Sequence, residues 1–189
     1  MIAIKDRIGL AFFTFAALVS FLAAWENPAL LAWLTATHNA VLAAIYIRRK
    51  PPVKYDHVGL WLGLLAAVLP LTTIYGVDMS LPLIITGILG YSLVFWSLIS
   101  LGNRFGIAPA DRGLVVCGPY RIVRHPMYLG ELVLRAALVI ASTQALLATG
   151  SLITLAVIQV LRILREERIL TGYGAYASQV PYRLVPGVW

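Results

Sequence analysis

Long apolar segments separated by short polar loops constrain the fold of this chain more than any other feature. Of its 189 residues, 60% are hydrophobic and 12% are charged, about half the charged fraction of an ordinary soluble domain. A helix of about 20 apolar residues can cross a bilayer. About six segments approach that length, at residues 8–25, 29–47, 58–75, 81–101, 127–142 and 146–164. The sequence therefore predicts an all-α, polytopic transmembrane helical bundle.

The order of the segments predicts one domain, residues 1–189, with four N-terminal spans in residues 1–101. We interpret the first segment as an uncleaved span, because its apolar stretch is longer than that of a usual signal peptide. Pro70 lies inside the third segment and predicts a kink there. The last two segments are joined by the neutral "STQALLATG" and are expected to form a tight helical hairpin, whose first member is short for a span.

The positive charges alternate with the apolar segments. The formal net charge is +7, and the positive-inside rule explains it better than nucleic-acid binding does. With six segments, the basic loops and both termini face the cytoplasm, which predicts an integral protein of the inner membrane in contact with membrane lipids. We infer no obligate protein partner. The basic loops and the tail contain Arg48, Arg49, Lys50, Lys54, Arg104, Arg112, Arg121, Arg124, Arg165, Arg168 and Arg183.

The stretch "GPYRIVRHPMYLGE" concentrates basic residues before an apolar helix. Pro126 excludes the α conformation at the preceding residue and suits a first helical turn, so a helix is expected to begin there. Arg121, Arg124 and His125 then lie at a helix N-terminus, which favours anions. A carboxylate or phosphate at the membrane surface would fit this position. The alternative is that these residues only anchor lipid headgroups.

Acidic residues also occur in the last two apolar segments. Glu131 and Arg135 stand four residues apart and predict an ion pair, either structural or lining a site. Glu166 has Arg162 at the same spacing, whereas Glu167 points about 100° away from it. A carboxylate beside a membrane cavity could bind a sulfonium or ammonium group, or accept hydrogen bonds from ribose hydroxyls. A solvated helix end is the alternative.

Other catalytic signatures are missing from the sequence. It has no HExxH motif, phosphate-binding glycine loop, GxSxG elbow or dinucleotide fingerprint. The single cysteine, Cys117, excludes an intrachain disulfide and a CxxC metal site, and no metal site is expected. Hydrolases, kinases and soluble dinucleotide-binding enzymes are therefore disfavoured.

Three blocks in the last 90 or so residues resemble the isoprenylcysteine carboxyl methyltransferase family and related membrane phospholipid N-methyltransferases. They are "GLVVCGPYRIVRHPMYLGE" at 113–131, "REERIL" at 165–170 and "YGAYASQVPYRLVPGVW" at 173–189. The resemblance implies a membrane enzyme that transfers a methyl group from S-adenosylmethionine to a lipophilic acceptor. It also implies that the loop and helix at 102–131 form a cytoplasmic cofactor pocket with the C-terminal tail, within a catalytic region at 102–189.

The family's site residues carry over to matching positions of this chain. The resemblance implies that Arg124 and Glu167 are catalytic, and that Arg124, Arg183 and Asn103 contact the acceptor, with Phe105 a weaker candidate. Here "QVPYRLVP" departs from the family's usual tail, since Gln179 replaces an arginine and Tyr182 is inserted, which leaves Arg183 as the tail arginine. The implied cofactor-binding residues are Tyr120, His125, Tyr128, Gly130, Glu166 and Glu167.

The acceptor remains open between three chemical classes. A carboxylate is already ionised at neutral pH, whereas an amine or a thiol must lose a proton and His125 is the obvious nearby base. This favours O-methylation of a lipid-linked carboxylate over phospholipid N-methylation or thiol S-methylation. The remaining alternatives are a membrane reductase similar to the sterol reductases that uses NADPH, and a non-enzymatic membrane scaffold.

Overall fold

The computed structural model describes residues 4–69 and 79–189, and this part of the chain is mostly helical. Two short strands in it, β1 (Lys54–Tyr55) and β2 (Ala110–Asp111), pair antiparallel. Because these strands have only two residues each and helices dominate the described part, the predicted all-α class is confirmed. The α-helices of the described part are α1 (Ile4–Glu26), α2 (Leu30–Ile47), α3 (His57–Val68), α4 (Leu81–Leu101), α5 (Pro126–Ala141), α6 (Ala145–Ile169) and α7 (Tyr173–Gln179).

Four helices of the described part are long and apolar enough to cross a membrane. They are Arg7–Glu26, Leu30–Ile47, Leu81–Arg104 and Ala145–Ile169. Helix α5 has 16 residues and is short for a span, as predicted. The end of the predicted third segment and the kink predicted at Pro70 lie outside the described residues. The polytopic membrane fold is confirmed, whereas the number of six spans stays a prediction.

The chain divides into two compact units. Met1–Pro51 with Gly102–Gly106 forms the first, and Pro52–Leu101 with Ile107–Trp189 forms the second. Helices α3 and α4, which the sequence groups with the N-terminal spans, thus share a unit with residues 107–125, which precede α5. The predicted organisation as one domain stays a prediction.

In the first unit, α1 and α2 pack through a polar and an aromatic contact. Asn39 Nδ2 donates to Ser20 Oγ at 2.9 Å, a hydrogen bond that satisfies both side chains between apolar helices. The rings of Phe13 and Tyr46 lie 5.4 Å apart, and Phe105 lies 6.4 Å from Tyr46. Phe105 therefore has a packing role in this unit.

In the second unit, α5 and α6 form the predicted hairpin. Helix α5 begins at Pro126, as its fixed φ angle and missing N–H predict. Residues 142–144 join the two helices, and the Gln144 N–H donates to Ser142 Oγ at 3.1 Å. Helix α6 ends before Gly172, which has a left-handed φ of 76°. Gly174 lies inside α7.

Helices α4 and α5 cross at two glycines. A Cβ atom added at Gly130 would lie 2.8 Å from the Gly90 carbonyl oxygen and 3.1 Å from the Val94 nitrogen. A Cβ added at Gly90 would lie 2.9 Å from the Gly130 carbonyl oxygen. The absence of side chains at both positions lets the two backbones approach, as at other small-residue crossings of membrane helices.

Replacing Gly130 by alanine is therefore expected to destabilise the second unit by about 1–3 kcal/mol, the usual cost of overpacking. The added methyl group meets backbone atoms, which cannot rotate away. Gly150 is a matched control, because it lies in α6 with nothing within 4 Å of an added Cβ. Gly150→Ala should raise or preserve the melting temperature in detergent micelles, while Gly130→Ala lowers it. Equal melting temperatures for the two variants would contradict the tight crossing.

Candidate active site

The C-terminal tail folds back onto the start of α5 through two backbone hydrogen bonds. The Arg124 N–H donates to the Tyr182 carbonyl, and the His125 N–H donates to the Arg183 carbonyl, both at 2.9 Å. Pro126 keeps His125 out of the α conformation, so its N–H remains free for a partner outside the helix. This pairing brings Arg183 next to residues 124 and 125 although they are far apart in sequence.

Glu167, near the end of α6, is the centre of a cluster of hydrogen-bond donors. Arg183 donates hydrogen bonds to both carboxylate oxygens, with Nε 2.8 Å from Oε1 and Nη2 2.9 Å from Oε2. The Tyr173 hydroxyl donates to Oε1 at 2.8 Å, and Arg124 Nη1 lies 3.3 Å from the same atom. Glu167 therefore has its compensating charges in the tail and in residues 124–126, which we call the RHP stretch, and none of these charges is a neighbour on its own helix.

Glu166 faces a different set of partners. It accepts a hydrogen bond from the Tyr128 hydroxyl, and its Oε2 lies 3.6 Å from His125 Nδ1. The rings of His125 and Tyr128 are parallel, with centroids 5.7 Å apart and an interplanar angle of 2°. The two neighbouring glutamates thus contact different nitrogens of His125.

His125 contacts both glutamates, because its Nε2 also lies 3.6 Å from Glu167 Oε1. Burial of the ring opposes protonation and by itself lowers the pKa, but the two carboxylates outweigh it, and the pKa of His125 is raised above its usual value. A protonated imidazole donates from both nitrogens, as the two ion pairs require. His125 therefore keeps its proton to a higher pH than a free imidazole does.

The raised pKa predicts a pH dependence of stability. Protonated His125 stabilises the folded protein fully below the unfolded-state pKa of about 6.5, and this contribution is lost as the pH rises through the higher folded-state value. The difference in melting temperature between the wild type and His125→Gln should therefore be largest in mild acid and shrink with increasing pH. A difference that stays constant, or that grows with pH, would contradict this assignment.

An open cavity of about 700 Å³ lies beside Glu167. Arg124 lines it, and although this side chain is only 9% exposed, its Nε has no hydrogen-bond partner among the described residues. A buried guanidinium donor without a partner is a position where a ligand oxygen would be favourable. The lining residues are Arg124, Leu164, Glu167, Arg168, Leu170, Gly172, Tyr173, Gly174, Ala175, Ala177 and Arg183.

The sequence-predicted residues have different positions relative to this cavity. Arg124, Glu167 and Arg183 line it. His125 contacts the lining residue Glu167, and it also contacts Glu166, which accepts a hydrogen bond from Tyr128. The roles that the sequence assigns to them stay predictions.

The other predicted residues lie elsewhere. The Tyr120 carbonyl accepts from the Tyr176 hydroxyl at 2.7 Å, and Gly130 lies at the α4–α5 crossing. Asn103 belongs to the first unit, where its carbonyl accepts from the Lys50 N–H at 2.8 Å. Their predicted contacts with cofactor or acceptor also stay predictions.

Sequence reasoning missed Tyr173. Its hydroxyl lies 3.4 Å from Arg124 Nη1 and 3.3 Å from His125 Nε2, in addition to its bond to Glu167. Burial and the negative charge of Glu167 raise the pKa of Tyr173, so the hydroxyl stays protonated and donates. An aromatic residue directly after Gly172, the glycine between α6 and α7, was the available signal.

A second missed contact fixes the wall of the cavity. Asp111 accepts from the Thr171 hydroxyl at 2.5 Å and from the Thr171 N–H at 3.1 Å. The hydrogen bond from Thr171 lowers the pKa of Asp111, and the Gly113 N–H adds to the effect. Asp111 thereby holds the turn between α6 and α7, where Gly172 faces the cavity.

The fold and this polar cluster define a multispan membrane protein with a charged pocket in its second unit, beside the end of α6. A family model described as phospholipid methyltransferase matches residues 77–176. The chain belongs to this family of membrane methyltransferases. The match covers the RHP stretch and the Glu pair, but it ends before Arg183. A search of the curated proteins gave no match.

Proposed function

We propose that this protein is an S-adenosylmethionine-dependent methyltransferase that acts on a carboxylate of a lipophilic acceptor. The observation that carries the proposal is the cluster around Glu167, in which two arginines and Tyr173 surround one carboxylate at the edge of an open cavity. Membership of a methyltransferase family supports the methyl-transfer chemistry. The basic loops support a site on the cytoplasmic side, where the polar methyl donor is available.

The donor set fits S-adenosylmethionine. The cavity of about 700 Å³ lies within the usual range for small-molecule sites. Glu167 can accept hydrogen bonds from ribose hydroxyls or from the ammonium group, and Arg124 Nε can donate to the carboxylate of the methionine part. The backbone at Gly172 and Gly174 leaves room for the flat adenine ring.

The chemistry asks little of the protein beyond positioning and exclusion of water. S-adenosylmethionine supplies an electrophilic methyl group, whose bond to sulfur breaks as an acceptor oxygen forms a new bond to carbon. The electron pair of the broken bond stays on sulfur, so a carboxylate yields a neutral ester and no proton has to move. Because a carboxylate is already ionised at neutral pH and needs no base, it suits this site better than a protonated amine or a thiol, whose proton a residue such as His125 would have to accept.

Phospholipid N-methylation is the second candidate, and the family description favours it specifically. It would require a base that accepts the ammonium proton. Glu166 or Glu167 would have to act as this base after exchanging hydrogen-bond partners. Thiol S-methylation and an NADPH-dependent reductase similar to the sterol reductases remain less favoured, because neither has a specific supporting feature among the described residues. Membrane lipids are the proposed surroundings, and no obligate protein partner is proposed.

The test uses purified protein, labelled S-adenosylmethionine and a lipid extract. We expect label in an extractable lipid that mild base releases as volatile methanol, since esters hydrolyse under conditions that leave methylamines and thioethers intact. Label in a base-stable lipid would replace the carboxylate by an amine or a thiol acceptor. No incorporation with any lipid, or with small thiols, would contradict methyl transfer itself.

A further inference from the structure

A series of hydrogen-bonded polar side chains connects α6 to α5. Gln159 has no exposed surface, and Arg162 is 4% exposed. The Gln159 side chain accepts from Arg162 Nη1 at 3.2 Å and donates to Glu131. Arg162 Nη2 also donates to the Ile107 carbonyl at 3.2 Å. Glu131 therefore has Gln159 as a hydrogen-bond partner on the facing helix. The ion pair with Arg135 that the sequence predicts stays a prediction.

Arg162 reaches the site through an aromatic ring. Its guanidinium carbon lies 4.6 Å from the centroid of Tyr128, within the range of a favourable cation–π contact. The same tyrosine donates its hydroxyl to Glu166 and stacks on His125. Tyr128 thus has a charge over its ring, a carboxylate on its hydroxyl and an imidazole parallel to it.

Stability alone gives little reason for an arginine at this position. An ionisable group inside a membrane-spanning helix is costly, and such residues usually serve a site. An apolar side chain of similar size would fill the space without that cost. The geometry restricts the direction of the guanidinium, because Gln159 and the Ile107 carbonyl hold it from two sides. A fixed cation can in turn fix the ring that it contacts.

We propose that Arg162 is a positioning residue of the methyl-transfer site, held by Gln159 and acting through the ring of Tyr128. The ring sets the position of Glu166 and His125, and His125 contacts Glu167 at the cavity. Affinity for the methyl donor therefore depends on Arg162 although Arg162 is not among the residues that line the described cavity. This inference rests on the proposed function, since it presumes a donor bound beside Glu167.

A double-mutant cycle tests the route through Tyr128. The variants are Arg162→Met, Tyr128→Leu and the double variant, with dissociation constants for S-adenosylhomocysteine measured by calorimetry in detergent micelles. Arg162→Met should weaken binding about tenfold, as expected for loss of a desolvated cation–π contact. In the Tyr128→Leu background the same change should weaken binding less than about twofold, because coupled residues are not additive. Arg162→Lys keeps a cation over the ring and should restore most of the affinity.

A structural control separates positioning from general stability. Arg165 on the same helix binds Asp56, with Nη1 at 2.9 Å from Oδ2, and contacts neither Tyr128 nor Glu166 in the described structure. Arg165→Met should lower the melting temperature and leave the dissociation constant unchanged. Wild-type affinity in Arg162→Met, or an equal loss with and without the Tyr128 ring, would overturn the inference while the proposed function stands. Failure of the wild type to bind would overturn both.

Discussion

Replacing Glu167 by alanine is expected to weaken binding of S-adenosylhomocysteine by at least about 100-fold. In the proposed complex the Glu167 carboxylate accepts hydrogen bonds from the ligand, and each hydrogen bond to a charged group contributes about 1.5–3 kcal/mol. Here Arg183, Arg124 and Tyr173 all lose the same acceptor. Calorimetric titration of the purified protein in detergent micelles measures the loss directly.

The control for this variant is Glu26→Gln, which removes a negative charge at an exposed position in the first unit. Its dissociation constant should equal that of the wild type, which shows that net charge is not the cause. If Glu167→Ala kept the wild-type affinity within about threefold while remaining folded, Glu167 would not belong to the donor site.

Replacing Arg124 by lysine is expected to reduce kcat for methyl transfer by about 100-fold. Lysine keeps the positive charge but not the planar fork, and this arginine uses the fork. Nη2 donates to the Pro181 carbonyl at 2.9 Å, Nη1 faces Glu167, and Nε has no partner among the described residues. Lysine cannot fill these three directions at once, so the group that we propose to contact the acceptor loses its orientation. Initial rates with labelled donor give kcat and KM separately.

Arg121 provides the matched control, because it is exposed and lies three residues earlier in the same basic stretch. Arg121→Lys should retain wild-type kcat and KM. A loss of rate in both variants would indicate a shared role in lipid binding. A wild-type rate in Arg124→Lys would remove Arg124 from the reaction.

Local rules were sufficient for the helices and for the membrane class. The length of the apolar segments predicts spans, and Pro126 predicts the start of α5, because both signals act within one helix. The hairpin of α5 and α6 followed from the short neutral connection. The RHP stretch and the Glu pair were recognisable because each is a compact motif, and the family match includes both.

Contacts between distant parts of the chain could not be predicted from the sequence. The partners of Glu167 come from residues 124, 173 and 183, and they meet only because the tail pairs with the backbone at Arg124 and His125. The helix spacing of Arg162 and Glu166 was visible, but the contacts of Tyr128 with both residues were not. Gly130 allows the close approach of α4, and its predicted place beside a cofactor stays a prediction. A glycine signals close approach without identifying what approaches.

The central claim is that the pocket beside Glu167 binds a methyl donor, and thermal unfolding of the purified wild-type protein tests it most directly. A ligand that binds only the folded state raises the melting temperature, and the rise grows with the logarithm of the ligand concentration once that exceeds the dissociation constant. We predict that S-adenosylhomocysteine raises it in a concentration-dependent way, that NADPH does not, and that Glu167→Ala abolishes the shift. A shift with NADPH and none with S-adenosylhomocysteine would contradict the account.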